Sequence, residues 1–409
     1  MKVLWFEVIV PSRFKNESAV LGGWQDSLEE LLRQSRDIEL FVAFEDKNKS
    51  VDKEVDGVKY IPIHPYKTII TKIKEFFSWK VRANSLLPHL LRTIEAVKPD
   101  VIHVFGTEWP FGIVSKYTDK PVIIHIQGII TACNNASYPP GYSLFTQWYS
   151  NFNIFRILLH PIRQRTQEVM EREIWKSCSR YMGRTKWDYT LSSILHPNCR
   201  YYHVNEVLRP AFYEVAGEWK RQKDRMLRLI STGCGSFWKG PDMVIKVAKV
   251  LMAMNIEFEW LLAGEMPFFL RDMVERHEKT NFEKCHVKIM GFMDSLTLIE
   301  NLKNSSLYIH TAYIENSPNS ICEAQMIGIP VVSTNVGGIS SIISDGETGV
   351  MVPANDPWRM AYEIVSLWND PDKMTKISCA EVLAARKRHD RTNILNSVIG
   401  AYKAQLPSE

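Results

Sequence analysis

Two glutamates, Glu315 and Glu323, flank a polar Ser-Pro-Asn-Ser turn and have seven residues between them. Apolar runs before and after the turn predict a strand, a loop, a short helix and a second strand. Ser317 suits the N-cap of this helix, Pro318 its first position and Gly328 its C-terminal end. The free amides and partial positive charge at a helix start favour phosphate. Since carboxylates accept hydrogen bonds from hydroxyls, the ligand that fits is a nucleotide sugar.

Glycine-rich loops follow the first strand of each half of the chain. The loop 233–240 leads into a predicted helix and contains Lys239, which could neutralise a diphosphate while the helix start supplies amides. A solvated surface lysine is the alternative. The pair Gly22 and Gly23 could bring backbone amides close to a ligand, although a plain turn explains this weak signal equally well.

The segment that contains Glu315 and Glu323 resembles the signature of retaining glycosyltransferases of family 4, among the group 1 glycosyltransferases. The matching positions that follow are Ala324, Gly328, Pro330, Val331, Val332, Gly337, Gly338, Asp345, Gly346, Gly349, Val352, Pro353 and Asp356. Two other runs, 183–188 and 201–206, resemble a bacterial polysaccharide-assembly branch of that family.

This resemblance implies the GT-B fold, in which two doubly wound Rossmann-like α/β domains face a cleft. It implies transfer of a sugar from a nucleotide diphosphate sugar to a hydroxyl of a saccharide or lipid-linked saccharide, with retention. No metal site is evident from the sequence, so we expect no metal or other cofactor. Glu323 would hold the ribose, Glu315 the donor sugar, and Lys239 the leaving phosphate. The other donor-binding positions that it implies are Gly22, Gly23, Pro318, Asn319, Ser320, Ile321 and Gly291.

Two positions depart from the family pattern. Cys234 stands where the family usually has an arginine, and the sequence does not decide whether Arg271, Arg209 or another base replaces this cation. Gln127 stands where relatives often have a histidine near the transferred sugar, and His125 lies two residues earlier. Because alternate residues of a strand share a face, either side chain could reach the site. We therefore expect Glu315, Lys239 and one of these two residues to form the catalytic group.

Three further residues are candidates for contacts with the acceptor or a phosphate. His103 lies in a predicted strand, where a buried structural histidine is the alternative. Arg184 could hold a phosphate and Trp187 could stack on a sugar ring, or both could serve helix capping and packing.

Strand and helix signals alternate in two successive series, which predicts two domains. We expect an N-terminal acceptor-binding domain over 1–209 and a C-terminal nucleotide-sugar-binding domain over 210–387. Family resemblance implies that the final helix, about 388–409, packs back on the first domain. The sequence does not indicate an oligomeric state.

Composition narrows the possible partners. The net charge of +4 is too small to indicate nucleic-acid binding by itself. Seven scattered cysteines lack zinc spacing and suit reduced thiols in the cytoplasm. No apolar run is long enough to span a bilayer, and the N-terminus begins directly as a strand, without a secretory pattern.

Basic and aromatic residues are concentrated in two stretches. One surrounds the run Phe76-Phe77-Ser78-Trp79, and the other covers 152–165. Such a stretch could form a surface that lies on an anionic membrane, here the inner face of the cell membrane. It could equally form ordinary helices with their aromatic faces turned inward. The basic residues of the first stretch are Lys67, Lys72, Lys74, Lys80, Arg82 and Arg92.

Other function classes fit the sequence less well. A non-catalytic module that binds nucleotide or saccharide would be compatible with Cys234 and Gln127, although both glutamates and Lys239 are present. A sugar-nucleotide epimerase shares the two-domain fold, but the segment at Glu315 fits this class less well. An NAD-dependent dehydrogenase is disfavoured because no Gly-x-Gly-x-x-Gly follows the first strand.

Overall fold

The chain forms two α/β units, each built on one sheet that is wholly or mostly parallel. A computed structural model describes the backbone of residues 1–15, 23–48, 50–65, 68–143, 145–146, 154–221 and 226–406, and the side chains of these except 154–158. The first unit comprises residues 1–131, 158–207 and 389–409; the second comprises 132–157 and 208–388.

The first unit contains an eight-stranded sheet. Its strands are β1 (Lys2–Glu7), β2 (Glu39–Glu45), β3 (Lys53–Val55), β4 (Val58–Ile63), β5 (Val101–Phe105), β6 (Val122–His125), β7 (Arg180–Gly183) and β8 (Arg200–His203). Their order is β3-β4-β2-β1-β5-β6-β7-β8, and only the β3–β4 pair is antiparallel. All of β5 and β6 is buried, as expected for apolar parallel strands covered on both faces.

The helices up to β8 connect these strands or continue into the second unit. They are α1 (Trp24–Leu32), α2 (Ile69–Phe77), α3 (Trp79–Val97), α4 (Ile130–Asn135), α5 (Ile154–Ser177) and α6 (Lys186–Leu195), with a 3-10 helix at Pro110–Lys116. Segment 132–157, which the sequence placed with the first domain, groups with the second unit. The physical reason lies in Tyr142, whose ring packs on His277 at 3.9 Å and whose hydroxyl donates to Glu278 at 3.1 Å.

The second unit contains a six-stranded sheet in which every pair is parallel. Its strands are β9 (Leu227–Thr232), β10 (Phe258–Ala263), β11 (Val287–Gly291), β12 (Leu307–His310), β13 (Val331–Thr334) and β14 (Val350–Val352). Its helices are α7 (Pro210–Glu214), α8 (Pro241–Ala253), α9 (Phe268–Glu278), α10 (Ser295–Lys303), α11 (Asn319–Ile327), α12 (Pro357–Trp368) and α13 (Pro371–Arg388). The strand order is β11-β10-β9-β12-β13-β14.

The last helix, α14 (Arg391–Lys403), belongs to the first unit. The hydroxyl of Tyr402 accepts a hydrogen bond from the Trp5 indole at 3.0 Å and lies 2.6 Å from Nδ1 of His103. The predicted fold class, two doubly wound α/β domains, is therefore confirmed. In the part of the chain that the structure describes, no helix has both the length and the apolar character needed to cross a membrane.

Candidate active site

The second sheet has its topological switch point between β9 and β12. The chain leaves β9 toward β10 on one side, while β12 lies on the other. Open α/β sheets bind ligands at the carboxyl ends of the strands at such a point. The loops after these two strands are joined there by hydrogen bonds. The amide of Tyr313 donates to the carbonyl of Trp238 at 2.7 Å, and the Thr311 hydroxyl donates to the carbonyl of Lys239 at 2.9 Å.

Two glycines allow the close approach of backbone in this region. Gly240 has φ +72°, and a Cβ atom there would lie 2.1 Å from the carbonyl oxygen of Thr311. Gly337 has φ +52°, and its Cβ would lie 2.0 Å from the carbonyl oxygen of Glu315. Only glycine fits these positions without a shift of the backbone. The position of Glu315 therefore depends on both loops.

Glu315 forms an ion pair with Lys239 across the switch point. Nζ of Lys239 donates to Oε2 of Glu315, and Nε2 of His310 lies 3.8 Å from the same oxygen. Burial alone would raise the pKa of Glu315, but Lys239 and His310 outweigh it and lower that pKa to about 2. Burial lowers the pKa of His310, so its ring is neutral near pH 7. Glu315 is therefore a carboxylate that accepts hydrogen bonds and cannot act as a proton donor at neutral pH.

A buried polar network anchors the loop that carries Glu315. The carboxylate of Asp242, in the first turn of α8, accepts a hydrogen bond from the Tyr313 hydroxyl and another from Lys246, each at 2.7 Å. Tyr313 stands two residues before Glu315, so this network fixes the loop against α8. Neither Asp242 nor His310 was among the predicted site residues. Their positions at a helix start and a strand end were the available signals.

Helix α11 begins one residue later than the sequence predicted. Asn319 is its first residue, and Pro318, with ψ 113°, occupies the cap position predicted for Ser317. The amides of Asn319 and Ser320 lie at the helix start, where no helical carbonyl precedes them. The amide of Ile321 donates to the carbonyl of Pro318 at 3.0 Å. Four positions of this segment, 318–321, were predicted to bind the donor. Of these, only Asn319 and Ser320 therefore offer their amides at the open end of the helix.

Glu323 is buried within α11 and paired with Arg209. The guanidinium donates twice to the carboxylate, from Nε at 2.7 Å and from Nη2 at 2.8 Å. Burial raises the pKa of Glu323 and the pairing with Arg209 opposes that rise. Side chains of a helix lean toward its N-terminus, so this pair lies toward the end where a phosphate would bind. Arg209 was one of the residues that the sequence left open as a replacement for the cation missing at Cys234, but its pairing with Glu323 was not predicted.

The structure shows how Cys234 and Gly291 are placed. Cys234 is buried, and burial raises the pKa of its thiol to about 12, so it is a neutral packing residue and carries no charge for a phosphate. Gly291 ends β11, the edge strand two positions away from β9, and its carbonyl accepts from the amide of Gly264 at 2.7 Å. It shares the carboxyl edge of the sheet with Lys239 but not the switch point.

The first unit has its own pocket at the carboxyl ends of β1, β5 and β6. The pocket has a volume of about 480 Å³. Trp24, Glu108 and Gln127 line one part of it, and the Trp24 indole donates to Oε1 of Gln127 at 3.1 Å. Burial raises the pKa of Glu108 to about 7, although the amide of Gly128 donates to its carboxylate at 2.6 Å. The position of Glu108 just after β5 could have identified it from the sequence.

The structure distinguishes Gln127 from His125, which the sequence left as alternative candidates for the site. Gln127 lines the pocket, whereas His125 does not. His125 is fully buried among aromatic rings, 5.0 Å from Trp24 and 5.2 Å from His103 between ring centroids. Burial lowers its pKa well below the usual value, so it is a neutral core residue.

His103 is also a core residue. Its Nδ1 lies 2.6 Å from the hydroxyl of Tyr402, its ring stacks on Phe105 with 4.3 Å between centroids, and burial lowers its pKa to about 3. The predicted contact of His103 with a ligand is contradicted by this burial, because the histidine fixes α14 to β5.

Arg184 and Trp187 lie at the start of α6. Arg184 is almost fully buried; its guanidinium lies over the Trp24 ring at 5.0 Å and donates to the carbonyl of Gln127 at 3.3 Å. It thus supports two pocket residues and does not present an open phosphate site. Trp187 is half-buried, one residue after the helix begins.

The turn after β1 is held by Asp26. The amide of Gly23 donates to Oδ2 of Asp26 at 2.9 Å, and the amide of Ser12 donates to Oδ1 at 2.9 Å. Gly23 lines the pocket of the first unit. Gly22 lies outside the described residues, so its predicted role is not placed. A ligand role for Gly23 stays a prediction.

Residues 219–381 match the family model described as "Glycosyl transferases group 1". The 2-deoxystreptamine N-acetyl-D-glucosaminyltransferase of Niallia circulans is 26% identical over 161 residues, which cover 39% of each chain. A putative colanic acid biosynthesis glycosyltransferase of Salmonella typhimurium is 27% identical over 146 residues, which cover 34% of this chain and 35% of that protein. The chain thus aligns with well under half the length of these relatives.

Solved structures match over the whole chain. Sucrose-phosphate synthase from Thermosynechococcus elongatus superposes with a TM-score of 0.72 at 13% identity, covering 99% of this chain and 98% of that one. Anabaena HepE, in complex with UDP and glucose, gives 0.65 at 16% identity, with 99% and 100% covered. The comparisons show the GT-B fold and support the resemblance to group 1 glycosyltransferases at the level of the superfamily.

Proposed function

We propose that this protein transfers a sugar from a nucleotide diphosphate sugar to a hydroxyl of a saccharide or lipid-linked saccharide, with retention of configuration, in the biosynthesis of a cell-surface polysaccharide. The observation that carries the proposal is the pair Lys239–Glu315 at the switch point of the second unit. The family match over this unit and the GT-B fold support it, as does the presence of UDP and glucose in a protein of similar fold.

Lys239 and the start of α11 would neutralise the negative charge on the leaving diphosphate. A diphosphate that departs from an oxocarbenium-like centre needs positive charge aimed at its oxygens. Lys239 would release Glu315 and bind the phosphate, while the amides of Asn319 and Ser320 would donate to the same group. Because these groups supply the charge, the proposal includes no metal ion and no cofactor.

Glu315 would bind a hydroxyl of the donor sugar. Its low pKa keeps it ionised, so it accepts a hydrogen bond and does not protonate the leaving group. Retention has two routes that fit a carboxylate here. Glu315 could attack the anomeric carbon as in retaining glycosidases, or the departing phosphate could take the proton of the acceptor on the same face.

Glu323 would hold the ribose hydroxyls, and Arg209 would then change partner. In the structure Arg209 occupies both oxygens of Glu323. Ribose binding at Glu323 would release the guanidinium beside the start of α11, where the diphosphate lies in this proposal. Arg209 would thus supply the second cation that the buried Cys234 does not.

The acceptor would bind to the first unit, in the pocket that Trp24, Gln127 and Glu108 line. An indole face packs against a sugar ring, while amide and carboxyl groups exchange hydrogen bonds with its hydroxyls. The first unit would therefore be the acceptor domain and the second unit the donor domain.

A thermal-shift screen with UDP-, GDP-, ADP- and TDP-sugars tests the donor assignment. Sugars carried by one of these nucleotides should raise the melting temperature of the wild type. The rise should be smaller in Lys239→Met and equal to that of the wild type in Lys303→Met. Lys303 provides the matched control, since it pairs with Glu218 at 2.7 Å on exposed surface of the same unit. The absence of stabilisation by every donor would contradict the proposal. Stabilisation without hydrolysis or transfer would indicate a non-catalytic binding module.

The predicted location is the cytoplasm, and the sequence left contact with the inner face of the cell membrane as an open alternative. Contact with the membrane is a separate proposal, because residues outside both candidate sites would make it.

A further inference from the structure

Helix α2 turns its apolar face to solvent. Ile69, Ile70 and Ile73 are 77%, 66% and 56% exposed, and Phe76 and Phe77 continue the same face one turn later. Residues at i, i+1, i+4, i+7 and i+8 form one stripe of a helix. No residue of this helix is buried. The arrangement is the reverse of an ordinary surface helix, whose apolar stripe packs on the core.

The polar side of α2 faces the protein. Thr71 and Glu75, which are one turn apart, are the two residues of α2 that are partly buried. The carboxylate of Glu75 accepts a hydrogen bond from the Ser85 hydroxyl of α3 at 2.8 Å. Glu75 is the one acidic residue of α2. The alternative in which the aromatic residues turn inward therefore does not hold for Phe76 and Phe77, which are exposed, although it holds for Trp79, which is buried.

Positive charge surrounds the apolar stripe. Lys72 and Lys74 on α2 and Lys80 at the start of α3 are exposed. Beside them, a cavity of about 170 Å³ is lined by Lys72, Arg163 and Phe76, together with Glu75, Trp79 and Arg82. The guanidinium of Arg163 lies 6.0 Å from the centre of the Phe76 ring.

Helix α5 extends this surface. Ile162 and Val169 are exposed on it, as are Arg163 and Arg165. In the second basic stretch, 152–153 and the side chains of 154–158 lie outside the described residues, as does Lys67 in the first. The surface that combines α2, Lys80 and residues 162–169 is called the α2 face below.

We propose that the α2 face binds the surface of an anionic lipid bilayer, with the isoleucine and phenylalanine side chains in the interfacial region and the cations on lipid phosphates. Exposed aliphatic and aromatic side chains bordered by lysine and arginine suit this environment. A protein partner fits less well, because lysine is depleted from the cores of protein–protein interfaces. The cavity between Lys72 and Arg163 has the charge to receive a phosphate headgroup.

Co-sedimentation of the full chain with vesicles tests the proposal. The wild type should bind vesicles of phosphatidylcholine mixed with phosphatidylglycerol and bind pure phosphatidylcholine poorly. The variant Ile70→Glu/Ile73→Glu should lose this binding. Lys72→Gln/Lys74→Gln should weaken it roughly thirtyfold, from about 1 kcal/mol for each cation at an anionic surface. Since these side chains are exposed, the variants should melt like the wild type.

The matched control is Ile194→Glu/Leu195→Glu, which places the same charges on exposed positions of α6. It should bind vesicles like the wild type. Equal binding by the control and by Ile70→Glu/Ile73→Glu, or no binding by the wild type, would overturn the proposal. Sedimentation velocity covers the protein alternative: a dimer that Ile70→Glu/Ile73→Glu abolishes, without vesicle binding, would assign the α2 face to a second copy of the chain.

Discussion

Replacement of Lys239 by methionine tests the electrostatics of the candidate site. Methionine keeps most of the length of lysine and removes its charge. Lys239 is the largest influence that lowers the pKa of Glu315, so its removal leaves a buried carboxylate beside a neutral His310. We expect the pKa of Glu315 to rise and the transfer rate to fall.

The size of the effect follows from Coulomb's law. Two unit charges about 4 Å apart near a protein surface interact by about 4 kcal/mol, which corresponds to roughly three pKa units. The pKa of Glu315, about 2 in the wild type, should therefore move slightly above its ordinary value of 4.5. The rate constant kcat should fall on the order of 100-fold if Lys239 stabilises negative charge on the leaving phosphate in the transition state.

The pKa change also affects stability. A carboxyl whose folded pKa is depressed stabilises the fold above its unfolded pKa, and this stabilisation is lost as pH falls through the folded pKa. For Glu315 the window runs from about pH 4.5 down to about 2. Lys239→Met should lack this acid-sensitive contribution.

Carbon-13 NMR of glutamate labelled at the side-chain carboxyl measures the pKa directly, and Glu315→Gln assigns the signal. In the wild type the signal should keep its carboxylate shift at pH 4, whereas in Lys239→Met it should titrate near pH 5. Lys303→Met, which removes an exposed ion pair of the same unit, should leave it unchanged. An unaltered pKa in Lys239→Met would refute the reasoning.

Four further predictions concern other residues. Glu323→Gln should weaken nucleotide binding, which calorimetry measures. Arg209→Gln should weaken the binding of UDP more than the binding of uridine if the guanidinium contacts phosphate. Equal losses of affinity for the two ligands, measured in the same way, would argue against that role. Because burial raises the pKa of Glu108 to about 7, this carboxyl gains a proton as pH falls below 7, and the KM for the acceptor should change across that pH in the wild type but not in Glu108→Gln. Gly240→Ala should lower the free energy of unfolding by about 1–3 kcal/mol, because its Cβ would lie 2.1 Å from a carbonyl oxygen. Gly400→Ala, in open space on α14, should not destabilise the protein. Urea unfolding compares the two variants.

The fold could be predicted because apolar runs and glycine-rich loops carry it. The runs at β5, β6, β12 and β13 are continuous and buried, which is typical of parallel strands covered by helices. The edge strand β3 could not be predicted in the same way, because it is short, polar and partly exposed. Strand and helix bounds shift by a residue or more where a cap decides them, as at Pro318.

The second-unit site could be predicted in part. Glu315 and Lys239 lie on neighbouring loops, and the position of each loop follows from its strand. Their direct pairing could not be predicted, since it depends on how β9 and β12 become neighbours in the sheet. The same holds for Arg209, which is 114 residues from Glu323 along the chain.

The histidines show where local sequence fails. The sequence placed His103 and His125 near the carboxyl ends of two strands, a position that suits ligand contact as well as burial. In the structure His125 ends β6, whereas His103 lies in the middle of β5. Contacts with Tyr402, Trp24 and Phe105 decide the outcome, and these come from distant parts of the chain. The orientation of α2 is a similar case. Its amphipathic pattern was evident, but only the structure assigns the apolar stripe to the exposed side.

Time-resolved proton NMR of the sugar product tests the central claim most directly, with the donor chosen by the thermal-shift screen. The coupling constant of the anomeric proton reports the configuration of the new bond. We predict that it matches the configuration of the donor, and that Lys239→Met and Glu315→Gln form the same product far more slowly. An inverted product, or turnover that neither substitution affects, would contradict the account.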